Sequence, residues 1–442
     1  MRNYLILMSA TALAACGGDT GPVAVGGGAA PPAPGGNGGT PTPTAHSFVN
    51  PTETKTYQAH GGVQSYDYDY VETVHYDKIP ATDSSGNPQV DANGNPLYAI
   101  DPNSRTLLDT GQPRQLYTAN ASTVRNPGVT VSYDPRNAQF TLQIAQNGNA
   151  ANITFQDPAH RTNFTGNKTP QLGVPNLETG PVDQRLAKGV QYLEVDTGSD
   201  ADTYDVSTFF YEKPGTTTKY VTYAGFVRNR FEAAAEVVLA DAPRSQITQL
   251  TRPTSLERAT FVFGEQTANS NVPQSGSANF SGNMTASMVN TPQIDNNPMQ
   301  PSYFQWLSGT AGISVNFSSG AVTAALAGTT LAPMFDPSPI KDPTDTTGYT
   351  YPGVAIPAGA SFTANGTAQI DLVGKGGFAG LFSSAQFLNG GTTQTVTIAG
   401  STLDGAFYGP NGEEVGGTFR IVGGVPDQRV DIIGAFTATK GN

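Results

Sequence analysis

Residues 313–326 place an apolar side chain at every second position on both sides of a turn. Ile313, Val315 and Phe317 alternate with Ser and Asn, Ser318-Ser319-Gly320 reverses the chain, and Val322, Ala324 and Leu326 alternate back. A period of two sends successive side chains to opposite faces, so this stretch is a hairpin with one apolar face. Further strands follow: Ala368, Ile370 and Leu372, then Val396 and Ile398, then Phe419 and Ile421 before the break at Gly423-Gly424. Val430 to Thr439 makes the last strand. Many short antiparallel strands with no exposed edge to spare predict a closed barrel, and glycines in and beside them let a small barrel bend sharply. A lipid-facing barrel needs an outer apolar band with aromatic girdles. Here the alternate positions are Thr, Ser and Asn, so the apolar face is expected to fill a small interior.

With 51 Gly and 33 Pro among 442 residues, the rest of the chain also reads as turn-rich β structure. Asp83-Ser84-Ser85-Gly86-Asn87-Pro88 and Asp91-Ala92-Asn93-Gly94-Asn95-Pro96 nearly repeat. Each offers an Asx residue, a Gly able to take positive φ and a Pro, which together specify a turn. Phe209, Phe210 and Tyr211 begin one expected strand, and Tyr220-Val221-Thr222-Tyr223 begins another after Pro214-Gly215. The one helix-like stretch is Phe231 to Ala240, with three consecutive alanines; its Val237, Val238 and Leu239 fit a strand equally well. The fold class is therefore all-β.

Cys16 is the only cysteine, which excludes an internal disulfide and a cysteine-based zinc site. It follows Arg2, an apolar stretch from Tyr4 to Leu13, and Ala14-Ala15. That stretch is shorter than the ~20 residues a spanning helix needs but suits a secretory signal. Leu13-Ala14-Ala15-Cys16 resembles the lipobox of bacterial lipoproteins. The resemblance implies a signal peptide at 1–15, cleavage before Cys16, and acylation of that residue. Gly17 stands where inner-membrane lipoproteins often carry Asp, so a lipid-anchored, outer-membrane and surface location in a Gram-negative bacterium is expected. Residues 16–46 hold the lipidated Cys and a Gly/Pro-rich linker, such as Gly26-Gly27-Gly28-Ala29-Ala30-Pro31-Pro32. This composition cannot bury enough apolar surface to offset ordering, so it reads as a tether. The net charge of −12, with 13% charged residues, excludes nucleic acid as a partner, because that demands clustered Lys and Arg.

The C-terminal end reads Leu403-Asp404-Gly405-Ala406-Phe407-Tyr408-Gly409-Pro410-Asn411-Gly412-Glu413-Glu414-Val415-Gly416-Gly417-Thr418-Phe419, followed by Ile433-Gly434-Ala435-Phe436. It resembles the closing strands of the β-barrel domain of transferrin-binding protein B. Val272-Pro273-Gln274-Ser275-Gly276-Ser277-Ala278-Asn279-Phe280-Ser281-Gly282-Asn283 looks like that barrel's opening, with Phe280 where Tyr is usual. The resemblance covers residues 256–442. It implies an antiparallel barrel of about eight strands there, and by position a β-rich handle at 47–255, with Tyr220 to Gly225 at the handover. That family has two lobes, whereas the length here suits one, as in single-lobe relatives that capture haem or haemoglobin, so transferrin itself is not implied. No ligand contact of the family is matched by the loops here. Read physically, Gly409-Pro410-Asn411-Gly412 makes a tight turn, Glu413 and Glu414 start a short helical turn with a structural role, and Gly416-Gly417 permits a close pass.

Candidate chemistry is sparse. Tyr66, Tyr68 and Tyr70 alternate with Asp67 and Asp69, and His75-Tyr76 follow. Tyr can ligate haem iron, and His or carboxylate can bind iron, so Tyr66, Tyr68, Tyr70 and His75 are the haem or iron candidates; an aromatic strand face explains the tyrosines as well. Asp109-Thr110-Gly111 and Asp196-Thr197-Gly198 echo the paired triplets of aspartic proteases but lie close for a two-lobed enzyme, and the context Val195-Asp196-Thr197-Gly198-Ser199-Asp200 is also a plain turn. His46, His60, His75 and His160 are scattered, and Asp336, Asp342 and Asp345 sit in a Pro-rich loop. No HExxH, Ser-His-Asp order or phosphate loop occurs. The expectation is a non-enzyme with no cofactor. It would bind an iron-bearing or other ligand (a host or environmental protein, haem or a small solute) and hand it to a TonB-dependent receptor. A structural or adhesive envelope lipoprotein is the alternative.

Overall fold

The computed structural model describes residues 47–110, 120–121, 128–146, 149–156, 190–196, 203–291, 303–331, 356–424 and 429–441. The signal stretch, Cys16 and the linker to residue 46 including His46, and His160, Asp336, Asp342 and Asp345, lie outside them.

Thirteen strands come first: β1 (Lys55–Gln58), β2 (His60–Pro80), β3 (Tyr98–Ile100), β4 (Thr106–Thr110), β5 (Asn120–Ala121), β6 (Val129–Asp134), β7 (Gln139–Gln146), β8 (Asn149–Gln156), β9 (Val190–Asp196), β10 (Tyr204–Glu212), β11 (Val221–Phe231), β12 (Ala235–Ala242) and β13 (Ser245–Gly264). Nine more follow: β14 (Ser277–Thr291), β15 (Tyr303–Asn316), β16 (Ala321–Thr330), β17 (Ser361–Asp371), β18 (Gly377–Asn389), β19 (Thr392–Thr395), β20 (Ile398–Tyr408), β21 (Glu414–Gly423) and β22 (Arg429–Lys440).

The last group forms the barrel. Strands pair in the order β17-β16-β15-β14-β22-β21-β20-β18, and β17 also pairs with β18, so the eight-stranded antiparallel sheet closes on itself. The hairpin read from the sequence is β15–β16, with Val315 opposite Val322 and Ile313 opposite Ala324. Asn316 Oδ1 accepts the Ser318 and Ser319 N–H groups at 3.0 and 3.1 Å, and Gly320 takes φ 72°, which favours glycine. Phe280, Ile313, Phe362, Phe407, Phe419 and Phe436 fill the interior. Asn279, Ser314, Thr323, Asn365 and Thr367 face outward. A filled apolar inside and a small polar outside reverse the pattern of a lipid-facing wall.

The first group makes two sheets. One is β1-β6-β7-β8; the other runs β3-β2-β13-β11-β10-β9, with β4 and β5 also on β2 and β12 on β13. Phe140, Leu142 and Phe155 of the small sheet pack on Phe209, Phe226 and Phe261 of the large one. The expected boundary between residues 255 and 256 falls inside β13, which continues to Gly264.

Several local expectations change. The helix-like stretch from Phe231 to Ala240 contains no helix: Phe231 ends β11 and Ala235 opens β12. Pairing with β13 overrides the helix preference of Ala and Glu and suits Val237 and Val238. Phe209, Phe210 and Tyr211 close β10 rather than begin it. Val396 lies in the break between β19 and β20. Glu413 and Glu414 start no helical turn, because β21 begins at Glu414. The two Asx turns form as read. Asp83 Oδ1 accepts from Ser85 N and Asn87 N at 2.8 and 2.9 Å, and Asp91 repeats both distances with Asn93 and Asn95. The N–H donors of Asn87 and Asn95 hold these two carboxyls below the usual range.

Candidate functional site

The tyrosine run lies in β2, which pairs along its length with β13 in unbroken register: Tyr66 faces Leu256, Tyr70 faces Arg252 and His75 faces Ile247. Alternation therefore puts Tyr66 and His75 on opposite faces. Nine steps of extended chain run from Tyr66 to His75, about 30 Å at the rise of a strand. One iron cannot meet both. The Tyr66 ring is buried, edge-on to Phe304 of β15 at 5.3 Å, in a cluster with Leu256 and Val289. His75 is half-buried, with Nε2 3.9 Å from Asp77 Oδ1. Among the described residues no group of three or more His, Cys, Asp or Glu is arranged to hold a metal.

Tyr66 marks the seam between the large sheet and the barrel wall. Arg258 of β13 lies over the Phe304 ring, 5.0 Å from its centroid, and donates to Asn229 Oδ1 at 3.3 Å. Phe210 of β10 meets Trp306 of β15 edge-to-face at 5.1 Å. Val221, Tyr223 and Val262 pack against Ala406, Tyr408 and Ala435. Asn283 of β14 donates to Glu212 Oε1 at 2.9 Å.

At one end of this seam sits Glu414. Its carboxylate accepts the backbone N–H groups of Lys219, Tyr220 and Val221 at 2.6, 2.8 and 3.2 Å. Burial raises its pKa above the ordinary carboxylate range, against the pull of those three donors. Glu413 ends up below that range: burial pushes it upward, but the backbone and side-chain N–H groups of Asn411 outweigh the push. Gly416 completes the joint, since a Cβ there would stand 2.7 Å from Val221 Cγ2. The structural role read for Glu413 and Glu414 thus has a mechanism, one closing the Gly409–Gly412 turn and the other gripping the entry to β11.

The sequence reading missed the far end of the large sheet. There β12 is exposed along its whole length, with Val237, Val238 and Leu239 open on both faces and the outer edge unpaired among the described residues. Ile79, Leu107 and Leu108 are exposed on β2 and β4 in the same region. The three consecutive apolar residues were the available signal, but burial on a sheet is the usual reading of such a run. The two protease-like triplets do not converge. Asp109 pairs on β2 and Asp196 on β10, five strand spacings apart, or about 24 Å along the sheet. Gly111, Thr197 and Gly198 lie outside the described residues.

A closed eight-stranded barrel thus packs through a buried seam against the large sheet. Residues 272–440 match the family described as C-lobe and N-lobe β-barrels of transferrin-binding protein B, so the barrel has a transferrin-binding protein B-like fold. Among solved structures, transferrin binding protein B of Haemophilus parasuis Hp5, a double mutant, aligns over 88% of this chain and 78% of its own at 13% identity, with a TM-score of 0.28. Intact Ap-TbpB, with N and C lobes, aligns over 90% and 87% at 11% identity and 0.26. The isotype 1 protein of serogroup B Neisseria meningitidis aligns over 86% and 77% at 13% identity and 0.25. No curated protein sequence matches the chain. No helix among the described residues is long and apolar enough to cross a membrane.

Proposed function

We propose that this is a surface lipoprotein, acylated at Cys16 after loss of residues 1–15. It captures a protein, haem or small-solute ligand, iron-bearing or other, and hands it to a TonB-dependent transporter. In this reading residues 16–46 are the tether, 47–255 the handle and 256–442 the barrel, and no reaction is catalysed. The observation that carries it is the barrel match over residues 272–440. The seam supports it too, because a rigid joint lets one body carry binding surfaces at a fixed place. The exposed apolar end of the large sheet is a further surface of the sort partners use. The same end suits adhesion, which keeps the structural or adhesive envelope lipoprotein as the second reading.

The test is deletion of the chain in its own cell under iron limitation, with uptake of candidate iron carriers measured. Lost uptake, restored by the wild-type chain, supports capture and delivery. Unchanged uptake with lost attachment supports adhesion and removes delivery.

A further inference from the structure

The two N-terminal sheets do not meet completely. At the end of the sandwich where β1, β7, β10 and β13 come together, a cleft of about 240 Å³ stays open. Aromatic rings form both of its walls. On one side Phe48, Tyr57 and Phe263 stand with ring centroids 5.4 to 5.9 Å apart. On the other, Phe140 lies 4.5 Å from Tyr133 and 4.9 Å from Tyr211. All six rings line the space, and all but Tyr133 are nearly buried, so they are held in place by their neighbours. Such walls offer ring faces and edges, which attract another flat π-system more than an aliphatic chain.

The charged residues lining the cleft are Glu53, Lys55 and Lys213, and they differ in how they are used; Glu53 has an interaction of its own. Lys55 is occupied: its Nζ donates to Glu265 at 2.5 Å, and the same carboxylate accepts from the Tyr57 hydroxyl at 3.0 Å. Burial, with Glu265 beside it, holds the Tyr57 phenol well above its ordinary range, so it remains a neutral donor. Lys213 is different. It lines the cleft, is exposed, and has no side-chain partner among the described residues.

We propose that this cleft binds a flat aromatic acid, the ring between the two aromatic walls and the acid group on the Lys213 ammonium. Nothing in the sequence run of tyrosines or in the barrel motif points to it, because its walls come from five separate strands and the 48–51 strap. The site does not depend on delivery to a transporter, so either idea can fail alone.

Titration calorimetry of the full chain with 2-naphthoate, and with neutral 2-naphthamide for comparison, tests it. Saturable one-to-one binding of naphthoate is expected. Lys213→Glu should weaken naphthoate by about tenfold, the effect of one charged contact, and leave naphthamide unchanged. Asn50→Trp, at the exposed mouth, should abolish both, with an unchanged melting temperature showing that the fold survives. Absence of saturable binding would overturn the site. Binding indifferent to Asn50→Trp would place the ligand elsewhere and also overturn it. Equal loss of naphthoate and naphthamide on Lys213→Glu would overturn the acid contact.

Discussion

The barrel and the far end of the large sheet are built from the same kind of strand, yet they treat apolar residues in opposite ways. In β16 burial alternates strictly from Ala321 to Ala325, and the apolar side chains of the inward positions vanish inside a closed wall. In β12 the consecutive Val237, Val238 and Leu239 stay open on both faces. Closure makes the difference. A barrel has an inside, and every strand in it has two partners, whereas among the described residues β12 pairs only with β13. Exposed apolar side chains mean little in the barrel wall and a great deal on an unpaired edge.

Core truncation should separate the two regions most sharply. Phe436→Ala removes a fully buried ring from the barrel centre and is expected to cost about 3–5 kcal/mol. Denaturant unfolding measures it; a loss below 1 kcal/mol would mean that the barrel is not packed as described. Gly417→Ala comes next. Its Cβ would meet the Phe436 ring at 2.4 Å and Asp404 O at 2.7 Å, and overpacking of this kind costs about 1–3 kcal/mol.

Glu414→Ala tests the joint rather than either region. It strands three N–H groups of residues 219–221 and should cost about 1–3 kcal/mol. Its pH behaviour has a definite sign. The folded pKa of Glu414 lies above the unfolded value, so the folded chain holds this proton more tightly. The stabilising contribution is full below the ordinary carboxylate pKa and is lost as pH rises through the folded one. The melting temperature of the wild type minus that of Glu414→Gln should therefore fall as pH is raised from about 4 to 7. A difference that grows with pH would sink the assignment.

The smallest stability effect is expected at β12. Val238→Lys should shift unfolding by no more than about 0.5 kcal/mol, as exposed substitutions do. Ligand capture or attachment should nevertheless drop if that end is used. A large loss of stability would show that β12 is covered in solution.

Much of the barrel was legible in the chain because its signals are local. Ile313 to Leu326 announces a hairpin through a period of two and a turn that Asn316 and Gly320 complete. Asp83 and Asp91 make their turns with donors two and four residues away. At Phe231 to Ala240 local preference pointed to two answers, and pairing with β13 chose the strand. The tyrosine run was readable as a strand face, but not that Tyr66 would plug a seam against Phe304.

Sequence alone determined the all-β class, the turns, and which positions in the closing strands turn inward, since neighbours along the chain settle these. Only tertiary structure decided the partner of Glu414, almost two hundred residues away, the exposure of β12 and the aromatic cleft. Those features depend on which strands become neighbours in space, and a side chain's burial and charge environment are properties of that neighbourhood rather than of the residue.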